Sequence, residues 1–116
     1  MIILDSMGHL YSTESLKELY LFAKKMGLNL RWNHYSRHFP HFDLTTYNKK
    51  REAIRQGAKY VDARIDFHYV EQCRSWSRAM YDAEKVNNNL FYYEDYGLMK
   101  QRILRLDFNK LSHLLN

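Results

Sequence analysis

Two short amphipathic segments, each followed by a glycine, constrain the fold of this chain more than any other feature. Apolar residues recur at helical spacing over residues 16–26, and Gly27 follows at once. A second helical segment covers about residues 45–56 and ends at Gly57. The sequence therefore predicts two helices that each end at a glycine and are connected to the neighbouring elements by short turns.

Short strands are predicted before, between and after these helices. Residues 1–5 are apolar up to Asp5, residues 28–33 alternate between apolar and polar, and residues 58–61 form a third short run. The order β-α-β-α-β predicts an α/β fold with a small parallel sheet and right-handed crossovers. Residues 34–43, interrupted by Pro40, are expected to be an irregular loop.

The second half of the chain reads as helical. A parallel sheet is normally covered on both faces, so the first of these helices is expected to pack on the sheet. We expect one domain over residues 1–116, with an α/β core over 1–64 and a helical cap or oligomerisation element over 65–116. The residues that keep helical spacing in the covering helix are Ile65, Tyr69, Cys73, Trp76 and Met80.

Composition excludes several classes of protein. A single cysteine, Cys73, excludes an intramolecular disulfide and a zinc site built mainly on cysteines. No apolar run approaches the roughly 18 residues of a membrane span. Residues 1–5 are too short, and lack the basic flank, for a signal peptide. The sequence predicts a soluble, cytoplasmic protein that does not associate with membranes.

The positive charge is concentrated in one part of the chain. Residues 31–64 contain eight basic and three acidic side chains, which accounts for the whole net charge of +5. A concentrated positive field favours an anionic partner, namely a phosphate, a nucleotide or a nucleic acid. The alternative is an ordinary solvated helix face rich in lysine and arginine.

Histidines and carboxylates around the 34–43 segment are the candidate site. The carboxyl ends of parallel strands share one edge, where open α/β sheets bind ligands. Three interpretations remain open: a metal site, an acid–base and anion site, or loop residues that only satisfy backbone groups. The side chains that this edge could gather are Asp5, His9, His38, His41, Asp43, Lys50, Arg51 and Arg64.

The order of several short motifs resembles the DUF4031 family of uncharacterised small bacterial and phage proteins. The similarity covers roughly residues 1–64, and three basic residues stand where the family carries a lysine–arginine pair. The family has no assigned activity, so the resemblance implies only that Asp5, His9, Trp32, His41 and Asp43 belong to its recurring pattern. The motifs are Met7-Gly8-His9, Gly27-Leu28, His41-Phe42-Asp43-Leu44, Lys49-Lys50-Arg51 and Gly57-Ala58.

The first functional hypothesis is a protein that binds a phosphorylated small molecule such as a nucleotide, and it leaves open whether the protein also hydrolyses that molecule. His41 would be the acid–base group and Asp43 would orient it. The remaining ligand-binding candidates are Asp5 and His9, which would complete the site or hold a divalent metal, together with Trp32, His38 and the phosphate-binding Lys50, Arg51 and Arg64.

Two alternatives lack catalysis, so the sequence leaves open whether the protein is an enzyme. In one, the basic segment lies along nucleic-acid phosphates while Trp32, Tyr35 or Phe39 stacks on a base. In the other, suggested by the resemblance to phage proteins, the chain is an accessory protein that binds and inhibits a host protein. Homo-oligomerisation through the C-terminal helices is a further alternative.

Overall fold

A computed structural model describes residues 1–36 and 39–86 of the chain. They form an α/β fold, as predicted, with five strands, three α-helices and one 3₁₀ turn. No helix in these residues is long and apolar enough to span a membrane. The elements are β1 (Ile2–Asp5), β2 (His9–Ser12), α1 (Leu16–Lys25), a 3₁₀ turn (Leu30–Trp32), β3 (His34–Ser36), β4 (Phe39–Asp43), α2 (Tyr47–Arg55), β5 (Lys59–Val61) and α3 (His68–Val86).

The sheet is mixed, so the prediction of a purely parallel sheet is wrong. Its strand order is β3-β4-β2-β1-β5. Among the strands of the described residues, β1 and β5 pair in parallel, and the other neighbours are antiparallel. The cause is the turn of residues 6–8, which is far too short for a crossover and folds β2 back along β1. Residues 8–13 were expected only to turn the chain, so strand β2 was missed.

Residues 28–33 do not form the predicted strand. The Asn29 side chain accepts a hydrogen bond from the backbone N–H of Arg31 at 3.0 Å, and the Trp32 N–H donates to the Asn29 carbonyl at 2.9 Å. These local bonds turn the backbone into a 3₁₀ conformation, which competes with extended pairing. The alternating apolar residues that suggested a strand therefore lie in a tight turn.

The segment expected to be an irregular loop contains β3 and β4 instead. His34 pairs with His41 across these strands, and β4 continues the sheet by pairing with β2. The first four residues of β4 are all buried, so its two faces lack the polar–apolar alternation that reveals a half-exposed strand. Pro40, which is unusual inside a sheet, further obscured the strand.

Helices cover both faces of the sheet. On one face, α1 and α2 pack against Ile2, Leu4 and Phe42. On the other face, α3 packs through Cys73 against a cluster formed by Ile3 of β1, Tyr11 of β2, Phe39 of β4 and Val61 of β5. The predicted covering helix is therefore present, but it begins at His68.

Ile65 was wrongly included in that helix. Its side chain is exposed and precedes α3. The helical predictions for residues 87–116, and the oligomerisation element placed there, lie outside the described residues.

Cys73 is expected to be unreactive in the folded protein. Its side chain is fully buried, and burial raises the pKa of the Cys73 thiol to about 12. Since the thiolate is the reactive form, a colourless thiol reagent such as Ellman's should release no chromophore at pH 8. One equivalent should react after denaturation in urea. Stoichiometric reaction of the native protein within seconds would contradict the burial of Cys73.

Candidate functional site

Antiparallel pairing brings the candidate side chains to one end of the sheet. His41 and Asp43 are two residues apart on β4 and therefore point to the same face. His9 on β2 pairs with Asp43, and His34 on β3 pairs with His41. We call the group formed by Asp5, His9, His34, His41 and Asp43 the His/Asp cluster.

Asp5 holds the turn between β1 and β2 and orients His9. Its Oδ1 accepts hydrogen bonds from the backbone N–H groups of Met7 and His9, each at 2.9 Å. Its Oδ2 lies 3.0 Å from Nδ1 of the His9 ring. Burial tends to raise the pKa of Asp5, but the hydrogen bonds from His9 outweigh it, so the pKa is lowered. The hydrogen bond to Asp5 in turn raises the pKa of His9.

The carboxylate of Asp43 is the centre of the cluster. Its Oδ1 lies 3.4 Å from Nε2 of His41 and 3.8 Å from Nε2 of His9. Its Oδ2 lies 3.2 Å from Nδ1 of His34. The two oxygens therefore face different partners: Oδ1 faces the two inner histidines, and Oδ2 faces the outer one.

The two neighbouring histidines of β3 and β4 differ in burial. The His41 side chain is 8% exposed, whereas that of His34 is 59% exposed. The His41 ring stacks on Phe39, and its Nδ1 lies 2.7 Å from the Phe39 carbonyl oxygen. Burial lowers the pKa of His41, despite the opposing effect of the Phe39 carbonyl. Burial therefore favours the neutral form of the fixed His41 ring, while His34 is accessible to solvent.

The His/Asp cluster lies in a cavity of about 480 Å³, which is large enough for a small metabolite. The side chain of Arg74 on α3 lines the same cavity, and its guanidinium lies 5.7 Å from the centre of the Phe39 ring. The remaining lining residues include Met7, Tyr11, Ala63, Asp66 and Val70.

The structure gathers part of the predicted site. Asp5, His9, His41 and Asp43 come together as expected. Other predicted residues do not line this cavity, and His38 lies outside the described residues. Those placed elsewhere are the exposed Trp32 and Arg51, the half-buried Lys50, whose stem lies close to Gly8, and Arg64, which pairs with Asp62 at 3.1 Å.

His34 and Arg74 line the cavity but were not among the selected site residues. His34 belongs to the 34–43 segment that was taken as the candidate site, but it faces Asp43 only because β3 and β4 form a hairpin, which the residue pattern did not reveal. Arg74 could have been found, because it follows the buried Cys73 and lies one helical turn after Val70. On a helix that packs against the sheet, such a position lies at the rim of the buried face.

The fold and the cluster define a small α/β protein with a histidine- and aspartate-lined cavity at one end of a mixed sheet. Residues 4–73 match the family described as "Protein of unknown function (DUF4031)", and the chain belongs to this family. The match confirms the predicted resemblance and includes all five residues of the His/Asp cluster. No curated protein and no solved structure matches the chain.

Proposed function

We propose that the cavity binds a phosphorylated small molecule, such as a nucleotide, and hydrolyses its phosphate ester. The observation that carries the proposal is that an arginine and a solvent-accessible His–Asp pair line one cavity. A cationic group can hold the phosphate, while the His–Asp pair can move protons.

Arg74 is the residue that would bind the phosphate. Its Nε is buried without a hydrogen-bond partner in the described part of the chain, and its ion pair with Glu71 is 3.6 Å long. The guanidinium therefore retains donors for a bidentate contact with an anion. We assign this role to Arg74 rather than to Lys50, Arg51 or Arg64, because those three side chains do not line the cavity.

His34 is the better placed proton-transfer group. His41 was expected to have this role, but the His41 ring is buried and stacked on Phe39. His34 is accessible, and Asp43 lies close enough to its Nδ1 to orient it. In the proposed step, His34 takes a proton from water as the water oxygen bonds to phosphorus. The bond to the leaving oxygen breaks, and that oxygen then receives the proton.

The binding claim is tested by calorimetry with nucleoside mono-, di- and triphosphates and with sugar phosphates. Arg74→Met keeps the packing of the stem but removes the charge, so affinity should fall about tenfold to hundredfold. Arg78→Met is the matched control, since Arg78 is exposed one turn further along α3. Its affinity should stay within twofold of the wild type.

The hydrolysis claim is tested on the compound that binds best. His34→Gln should lower the rate of phosphate release about a hundredfold or more while leaving affinity nearly unchanged. His68→Gln, an exposed histidine on α3, should retain the full rate. Binding by none of the compounds, or equal binding by Arg74→Met, contradicts the proposal. Binding only of oligonucleotides, with a steep salt dependence, would favour the nucleic-acid alternative.

A further inference from the structure

We infer that His9, His41 and Asp43 form a binding site for one divalent transition-metal ion, with zinc as the ion that best fits the ligands. One imidazole nitrogen of each histidine and one carboxylate oxygen of Asp43 lie within 4.8 Å of one another. Two imidazoles and one carboxylate, with a remaining position for water, are a common ligand set of catalytic zinc sites. The inference goes beyond the proposed function, because it holds whatever compound the cavity binds.

The imidazole rings of His9 and His41 are oriented as a metal ion requires. Nδ1 of His41 faces a carbonyl oxygen and Nδ1 of His9 faces the Asp5 carboxylate, and both oxygens can only accept. Each Nδ1 therefore carries a proton, and Nε2 of each ring faces the Asp43 carboxylate. In the neutral form of each ring, Nε2 holds the lone pair with which imidazole binds a metal. A cation between these three atoms is then coordinated by both rings and by the carboxylate.

The distances agree with such a cation. Zinc–nitrogen and zinc–oxygen bonds of about 2.0–2.2 Å at a tetrahedral angle separate ligand atoms by about 3.3–3.5 Å. The Asp43 Oδ1 to His41 Nε2 distance of 3.4 Å lies in this range. The corresponding distance to His9 Nε2, 3.8 Å, needs only a small movement of the half-exposed His9 ring.

Asp5 and the Phe39 carbonyl complete the site as positioning groups. A histidine that binds a metal usually donates its other N–H to a carboxylate or a carbonyl, which fixes the ring and increases its basicity. Both kinds of partner are present here, one for each ring. The free oxygen of Asp43 stays directed at His34, so the metal does not displace that contact.

The charge of the cavity points the same way. Three carboxylates line it, those of Asp5, Asp43 and Asp66. Among the described lining residues, Arg74 is the only arginine or lysine. A divalent cation offsets this negative charge. Imidazole ligands favour a transition metal over Mg²⁺ or Ca²⁺, which prefer oxygen.

The test measures zinc binding by competition with a chromophoric chelator, on protein first stripped by dialysis against a chelator. The wild type should bind one equivalent. Asp43→Asn keeps the shape of a half-exposed side chain, so it should fold normally and yet bind zinc at least a hundredfold more weakly. His41→Ala should show the same loss. His68→Ala, which removes an exposed histidine of α3, should bind zinc like the wild type.

Asp5→Asn tests the positioning role. It keeps all three proposed ligands, so zinc affinity should fall about tenfold to hundredfold rather than disappear. The inference is overturned if the stripped wild type takes up no stoichiometric zinc, or if Asp43→Asn and His41→Ala bind it as well as the wild type. No phosphorylated compound is present in these titrations, so failure of the proposed function would leave their result unchanged.

Discussion

Replacing Trp76 with alanine should lower the free energy of unfolding by about 3–5 kcal/mol, as expected for a large aromatic residue at a packed interface. Trp76 lies on α3 and contacts the hydrophobic clusters on both sides of the sheet. Its indole N–H donates a 2.9 Å hydrogen bond to the carbonyl of Ser12, at the end of β2. The substitution therefore removes both apolar packing and the partner of a carbonyl on a buried residue.

Urea denaturation followed by circular dichroism would measure the change. Trp76→Phe keeps a ring and loses the hydrogen bond, so its cost should be smaller, about 1–2 kcal/mol. Trp32→Ala is the matched control because Trp32 is 60% exposed, and its effect should stay within about 0.5 kcal/mol. If Trp76→Ala were as stable as Trp32→Ala, α3 would not be docked on the sheet through this residue.

Replacing Gly8 with alanine should lower the free energy of unfolding by about 3 kcal/mol. Gly8 has φ of +87°, a left-handed conformation that costs other residues about 1–2 kcal/mol. A Cβ there would also lie 2.6 Å from the carbonyl oxygen of Leu44, a backbone atom that cannot rotate away. The Gly8 carbonyl accepts a 2.8 Å hydrogen bond from the Leu44 N–H, so the two segments cannot separate without losing it.

Gly27→Ala separates the two contributions. Gly27 has φ of +75°, but no atom lies within 4 Å of a Cβ built on it. Its substitution should therefore cost only the conformational term, about 1–2 kcal/mol, and leave the cavity unaffected. Urea melts of the two variants, made under the same conditions, give the difference. Equal losses for both variants would contradict the close approach of Gly8 to Leu44.

The parts of the fold that local sequence determines were predictable. The helices α1 and α2 were found because each begins after a side chain that caps its first turn, Ser15 for α1 and Thr46 for α2, and is closely followed by a glycine. Strands β1 and β5 were recognised as apolar runs, and their common direction agrees with the prediction of parallel strands. Strand β4 was not recognised, because its first four residues are all buried and show no alternation of polar and apolar side chains.

The site was predicted by residue but not by geometry. Asp5, His9, His41 and Asp43 were selected by chemistry and by resemblance, yet the edge that gathers them was derived from an incorrect parallel sheet. The predicted parallel sheet correctly placed the end of β1 at this edge. It did not include the two antiparallel pairings that bring His9 to Asp43 and His34 to His41. Residues 31–64 contain eight basic side chains, so charge alone could not identify Arg74, which lies outside this range on α3.

The His/Asp cluster and the opposite wall of its cavity come from separate stretches of the chain. Every member of the cluster lies on the strands between Asp5 and Asp43, whereas Val70 and Arg74 belong to α3. The two sides of the cavity can therefore change independently. Substitutions on the inner surface of α3 can alter the shape of the cavity without moving the His/Asp cluster, so the same cluster could act on different molecules.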